Sequence, residues 1–555
     1  MVGTMLDSPL LVSRILNHGS ERHGSSTVTG FVGDLKPRTA RFGGIAARAA
    51  ATAHALSELG VSTGDVVAIL SGSRTENIEA AFALPSMGAV ILPVNILRSP
   101  SFMADVLRAN EVAVAMVDPE VLSRALDAVV DVPSVRHLVV VDTHVPPALN
   151  DLDGLHDVQV HALEALLDGR PTTYPWPDLD ERAAAAISYT SGTTGESKGV
   201  AYTHRSIWLH SMQMCMAESA ALTSGDTVLT TVPMFHVMSW GLPYAAFMSG
   251  ASMITARPRP GQTFHTGRDV AGLLGTYRPN KMATTPATLQ RLLRHLEAHP
   301  QPLGHLTEVL VGGSPAPEAL FDAFVERHGV TIFQAYGLTE TSPIATFARP
   351  DPHSSATHRR AQLLGQGRFP AAMQARIVDG GVVQPNDGWS VGELQLRGPW
   401  VTARYLGDDA PERFDDGWFR TGDMASISPK GYLDVLDRVD DIIASGGELI
   451  STVELEHAIL RDHRVADAAV IGVSDERWGQ RPLVLVNLKR GVTATARALW
   501  ESLEGQVELW KRPDHWAFVD DIPRTTVGKF DKIGIRSRFA SGDYEITTIA
   551  PGAPR

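Results

Sequence analysis

The chain has 555 residues, a formal net charge of −13, 44% hydrophobic and 20% charged residues, and a single cysteine, Cys215. That length exceeds what one hydrophobic core organises, so two or more domains are expected in an otherwise ordinary globular composition. The acidic balance argues against a general nucleic-acid binder, and one cysteine excludes a disulfide scaffold and any multi-cysteine zinc or iron–sulfur site.

A lone cysteine fits a reducing cytosol, and cytoplasmic localisation is the expectation. The opening MVGTMLDSPLLVSRILNHGSERHG lacks the basic region and apolar stretch of a signal peptide. No run approaches the roughly 18 apolar residues that a membrane span requires. Lysine is scarce, with eight among 49 Lys+Arg, so each lysine reads as a specific choice. Two of them, Lys198 and Lys529, end Gly- or Thr-rich stretches.

In chain order, the first third predicts alternating strands and helices. DVVAIL (65–70) reads as a buried strand, TENIEAAFALPSMGA (75–89) as a helix with a Thr cap signal, and VILPVN (90–95) as a second strand. Together they form a βαβ unit. Further strands are expected at 112–118, 137–142, 226–234, 253–256 and 308–314, with turn-rich surface loops near 146–153 and 350–370. After about residue 390 the pattern alternates with period two, which predicts a smaller β-rich region. Then 451–463 reads as a Ser/Thr-capped helix, 466–473 and 481–488 as strands, and 496–512 as one more helix. The last hundred or so residues are expected to form a compact α+β domain.

The densest signal is ISYTSGTTGESKGVAYTH (187–204), in which hydroxyls and glycines crowd before one lysine. Small residues let successive backbone N–H groups point at one place, and such a nest binds an anion. Lys198 at its edge supplies a point charge for phosphate. Walker A is excluded, because G-x-x-x-x-G-K-[ST] is absent. Two rivals stand beside this reading. Gly195-Glu-Ser197-Lys-Gly199 matches the G-x-S-x-G elbow of serine hydrolases, but the six residues TSGTTG come between the strand that should feed it, AAAISY, and Glu196-Ser197. The other is an unliganded surface loop, since loops of this composition are common.

The motifs VPMFHVMSW (232–240), VGGSP (311–315), AYGLTET (335–341), DGWFRTGDMASISPKGYLDVLDRVDDIIASGGELISTVELE (416–456) and PRTTVGK (523–529) follow in order. With YTSGTTGESKG they resemble the adenylate-forming superfamily of acyl-CoA synthetases, nonribosomal peptide synthetase adenylation domains and luciferases. The resemblance runs from about Asp65 to Lys532 and is closest to the medium- and long-chain fatty acyl-CoA synthetase branch. It implies an α/β architecture: a large N-terminal α/β domain with mixed sheets, residues 1–437, and a small mobile C-terminal α+β domain, residues 438–555.

The resemblance also implies an activity. A lipophilic carboxylic acid is adenylated by ATP with Mg²⁺, and the acyl group then passes to CoA with release of AMP. A carrier-protein phosphopantetheine as acceptor is the close alternative; a hydrolase using Ser197 and a non-catalytic nucleotide binder are others. The expected partners are the small acid and the thiol, with no nucleic acid. Transient membrane contact to collect lipids is compatible with this reading, and no sequence feature assigns an oligomeric state.

By the same resemblance, Thr190, Ser191, Gly192, Thr193, Thr194, Gly195 and Lys198 cradle the β- and γ-phosphates. Glu340, with the Thr190 hydroxyl, holds Mg²⁺. Gly313, Ser314, Ala335 and Tyr336 form the adenine pocket, with Gly337 and Thr339 beside it. Asp423, assisted by Arg438, binds the ribose hydroxyls. His236 and Trp240 line and gate an acyl tunnel, amid methionines suited to alkyl chains. Lys529 bridges carboxylate and α-phosphate, and Asp440 is the hinge. The chain departs from its nearest branch at Glu196-Ser197, where a proline is usual, and at Asp440 and Ala444, where lysines are common.

Overall fold

The computed structural model describes residues 3–32, 36–142, 158–190, 197–259, 262–525 and 528–549. Among them, the chain builds three sheets of fifteen, seven and six strands. The seven-stranded sheet has a parallel heart of Val66–Leu70, Val90–Pro93, Val114–Val117 and His137–Val140. The strand Val114–Val117 is buried at every position, as a parallel strand covered on both faces must be. At one edge, Ala184–Tyr189 pairs antiparallel with Gly199–Thr203.

The fifteen-stranded sheet is parallel from Ser252–Thr255 through Thr227–Thr230, Lys281–Thr284 and Glu308–Gly312 to Thr331–Gly337. It turns antiparallel from Ile344–Phe347 through to the edge strand Val382–Gln384. The helix Thr75–Met87 lies between the two large sheets and is buried along its whole length. That explains why it shows no polar face. Its carboxylates Glu76 and Glu79 are met by Arg38, Arg48 and Arg74, since a buried charge needs a partner.

The six-stranded sheet uses only residues from Ile443 onward, including the long antiparallel pair Val465–Asp475 and Gly479–Leu488. Its helix Thr452–Leu460 is capped by Ser451, whose hydroxyl accepts from the Glu454 N–H.

Three local expectations need correction. Thr75 does not cap its helix: the cap position is Arg74, with no side-chain bond. Residues 496–512 are not one helix. Ala496–Ser502 stops, Gly505 takes a positive φ of 75°, and only a 3₁₀ turn, Leu509–Lys511, follows. The segment 350–370 contains the helix Ala356–Leu364, because Ser355 caps it through the His358 N–H. The loop expected near 146–153 lies outside the described residues.

Candidate active site

Ligands of open α/β sheets gather beyond the carboxyl ends of the parallel strands, and here the motifs converge there. Gly313 and Ser314 follow Glu308–Gly312, Tyr336 and Gly337 end Thr331–Gly337, and Thr190 follows Ala184–Tyr189. Two adjoining cavities, of about 240 and 360 Å³, share Gly313, Ala335, Gly337, Arg438, Asp440 and Lys529 in their walls. The smaller is also lined by Thr190, Lys198, His236, Trp240, Thr339 and Glu340, and the larger by Ser314, Tyr336 and Asp423.

In the larger cavity, the Tyr336 hydroxyl donates to Asp423 Oδ2 at 2.6 Å. Arg438 Nη1 donates to Asp423 Oδ1 at 2.9 Å. Burial and the Asp423 charge push the Tyr336 phenol far above its usual range, so it stays a donor. The Asp423 carboxylate in turn holds the Arg438 guanidinium above its ordinary value. Gly337 is required sterically: a Cβ there would lie 1.9 Å from the Pro343 carbonyl oxygen.

In the smaller cavity, the Lys198 N–H donates to Thr190 Oγ1 at 2.9 Å, and the Tyr202 hydroxyl donates to the Thr339 carbonyl at 2.6 Å. Glu340 is buried and accepts the Tyr405 hydroxyl on Oε1 at 2.5 Å. Lys529 reaches this wall from the C-terminal segment, where Thr525 N–H donates to the Lys529 carbonyl. Burial, then the Arg438 charge, lowers its pKa. Burial and the nearby Lys529 ammonium bring His236 down to about 4, so its imidazole is neutral near pH 7.

His236 and Trp240 flank an uncommon backbone. Val237, Met238, Ser239 and Trp240 all take positive φ between 50 and 60°, and Gly241 follows at 71°. This left-handed turn costs roughly 1–2 kcal/mol per non-glycine residue. The buried Ser239 hydroxyl secures it, meeting Thr230 Oγ1 at 3.0 Å and the Val232 carbonyl at 2.9 Å. The turn lays the Trp240 indole on Gly312, where an added Cβ would sit 3.1 Å from Cη2.

Ser191, Gly192, Thr193, Thr194 and Gly195 lie outside the described residues. The hydrolase alternative fails on topology: an elbow leads from strand to helix, whereas Ser197 leads into the strand Gly199–Thr203. Among the described residues no group of three or more His, Cys, Asp or Glu could hold a metal by itself. A hydroxyl and one carboxylate, Thr190 and Glu340, do suit Mg²⁺, which binds few protein oxygens and keeps substrate phosphates and water. No described helix is long and apolar enough to cross a membrane.

Sequence reasoning missed Tyr405 and Arg413. Both line the smaller cavity, and Arg413 donates to the carbonyls of Arg420 and Thr421. Their only sequence signal was an aromatic residue and an arginine in turn-rich segments outside any glycine-rich motif.

The chain belongs to the AMP-binding enzyme family: that family's model matches residues 22–406, and the AMP-binding enzyme C-terminal domain model matches residues 454–529. It is 33% identical over 547 residues to the 3-methylmercaptopropionyl-CoA ligase of Ruegeria lacuscaerulensis, covering 97% of this chain and 99% of that one. It is 35% identical over 548 residues to the long-chain-fatty-acid–CoA ligase of Thermus thermophilus, covering 97% of each. The medium-chain-fatty-acid–CoA ligase of Ectopseudomonas oleovorans is 33% identical, over 97% and 98% of the two chains. The fold is that of a solved anthranilate CoA ligase in complex with anthranoyl-AMP, at a TM-score of 0.85 and 23% identity over 97% of this chain and 99% of the other.

Proposed function

We propose that this chain is an ATP-dependent acyl-CoA synthetase that adenylates a lipophilic carboxylic acid and transfers the acyl group to CoA. The observation that carries this reading is the convergence of Lys198, Glu340, Arg438 and Lys529 on one cavity that His236 and Trp240 also line.

The first half-reaction brings a carboxylate onto a triphosphate, so it needs positioning and charge neutralisation more than covalent help. Thr190, the Ser191–Gly195 stretch and Lys198 hold the β- and γ-phosphates. Glu340 and Thr190 hold Mg²⁺, which neutralises phosphate charge when bound. Tyr336 stacks on adenine beside Gly313, Ser314 and Ala335. Asp423, held by Arg438, takes the ribose hydroxyls. The carboxylate oxygen attacks the α-phosphorus and pyrophosphate leaves, while Lys529 spans the carboxylate and α-phosphate oxygens. Neutral His236 and the Trp240 indole border the acyl group.

The domain division proposed is residues 1–437 and 438–555, with the hinge at Asp440. It is supported by the smallest sheet using only residues from Ile443 onward. Rotation there would withdraw Lys529 and admit the thiol, whose sulfur displaces AMP.

The test is pyrophosphate release from ATP with acids from acetate to palmitate and with benzoate, each with and without CoA. Release with a lipophilic acid, and acyl-CoA when CoA is added, is the expected result. Release without acyl-CoA would move the acceptor to a carrier-protein phosphopantetheine and point to Asp440 and Ala444. No release with any acid would overturn the reading.

A further inference from the structure

Tyr405 carries no role in the assignment above, yet it sits where three parts of the cavity meet. It is 4% exposed, and its hydroxyl donates to Glu340 Oε1. Its ring lies 6.0 Å from Lys198 Nζ and edge-on to Phe414, with centroids 5.4 Å apart. The next residue, Leu406, packs against Gly199, directly after Lys198: a Cβ on Gly199 would fall 2.9 Å from Leu406 Cδ1.

A carboxylate with two open oxygens can rotate and can bind a cation through either one or both. The Tyr405 hydroxyl is the donor in its contact with Glu340, because a carboxylate oxygen only accepts. Its one proton goes to Oε1. No hydrogen bond from a described residue reaches Oε2, and Glu340 lines the cavity. The carboxylate is therefore fixed in one rotamer with one oxygen committed to the protein. Mg²⁺ demands near-ideal octahedral geometry, and partners that orient a ligating group typically change metal affinity by about 10–100-fold.

We propose that Tyr405 is a positioning residue for divalent-cation binding: it fixes Glu340 through Oε1 so that Oε2 alone meets the metal of the metal–nucleotide complex. This rests on the adenylating reading above.

The test is Tyr405→Phe, which keeps the ring under Lys198 and against Phe414 and removes only the hydroxyl. Mn²⁺ binding to the full-length protein with a non-hydrolysable ATP analogue, followed by electron paramagnetic resonance without turnover, is expected to weaken about 10–100-fold. The Mg²⁺ concentration for half-maximal pyrophosphate release should rise in step. As a packing control, Phe414→Leu loosens the ring contact and should lower thermal stability without moving the Mn²⁺ affinity. Unaltered Mn²⁺ binding in Tyr405→Phe, with normal binding in the parent protein, would overturn the positioning role alone. Failure of the parent protein to bind the metal–nucleotide complex would overturn the adenylating reading as well.

Discussion

Loss of hydration lowers the Lys529 pKa first, and the positive charge of Arg438 adds to that effect. A group held under that stress gains most when negative charge develops beside it. Lys529→Ala is therefore expected to slow adenylation by at least about 10²–10³-fold. Conversion of synthetic acyl-adenylate to acyl-CoA should continue, measured on the same preparation. Equal loss in both assays would contradict a lysine that serves only the first step.

Buried histidines give a second effect at this scale. His204, His236, His265 and His457 are each brought to about 4, and His210 to about 3, chiefly by burial. Unfolded, these imidazoles take up protons near the ordinary histidine value of about 6.5. Between that value and about 4 the unfolded chain binds protons that the folded chain refuses. Stability should therefore fall as pH drops from about 6.5 to about 4, by up to about 1.4 kcal/mol per unit for each group. Above about 6.5 these groups should contribute no slope. Urea midpoints across pH 4 to 8 check this, and a flat profile below 6.5 would show the imidazoles to be solvated.

Among the elements, the left-handed turn 237–241 places Trp240 in the cavity wall, which on the proposed reading borders the acyl group. Its strain is sustained by buried contacts of Ser239, and its result is an indole lying flush on Gly312. Trp240→Ala should extend the preferred chain length. Gly312→Ala should push the indole into the cavity and shorten it, each changing the ratio of kcat/KM between medium and short acids by about tenfold or more. Unchanged profiles for both would return Trp240 to the packed interior. The sequence made the Trp240 position legible through VPMFHVMSW, but not the turn: nothing in those letters favours positive φ over four successive residues. The strands were legible because buried parallel strands are continuous apolar runs. Their ends were less so, since DTVLTTVPM reduces to Thr227–Thr230, after which the Thr231 hydroxyl meets that of Thr284 and the Met234 N–H donates to the Ser73 hydroxyl. Tyr405 and Arg413 stayed hidden for a related reason. Their function is a meeting of segments distant in sequence, which no local pattern records.

At the scale of the whole molecule, one buried cluster ties the last strand of the large sheet to the C-terminal segment. Asp437 Oδ2 accepts both the Thr452 N–H and its hydroxyl, at 2.6 Å each. Lys532 Nζ donates to that same hydroxyl oxygen at 2.5 Å and meets Glu456 Oε1 at 2.9 Å. Burial alone would lower the Lys532 pKa, but the surrounding carboxylates outweigh it and raise it. On the proposed hinge at Asp440, Asp437 stays with one domain while Thr452 and Lys532 leave with the other. Thr452→Val keeps the shape and removes the hydroxyl link, a loss of about 1.5–3 kcal/mol for a bond to a charged group. The expected outcome is slower adenylation and more pyrophosphate released per acyl-CoA formed. An unchanged rate and ratio would make the cluster a support of the fold alone.

Lys529 and Lys532 are three residues apart, the second opening the helix Lys532–Ala540. On the proposed rotation at Asp440, a displacement that withdraws Lys529 would carry Lys532 with it, so sealing the anhydride and closing the cleft would form a single event. With that segment moved, water would compete with the thiol for the same electrophile. The hold of Thr452 on Lys532 would then set a leak: the fraction of ATP cleaved with no thioester to show for it, and the rate at which a mixed anhydride escapes to acylate whatever amine it meets.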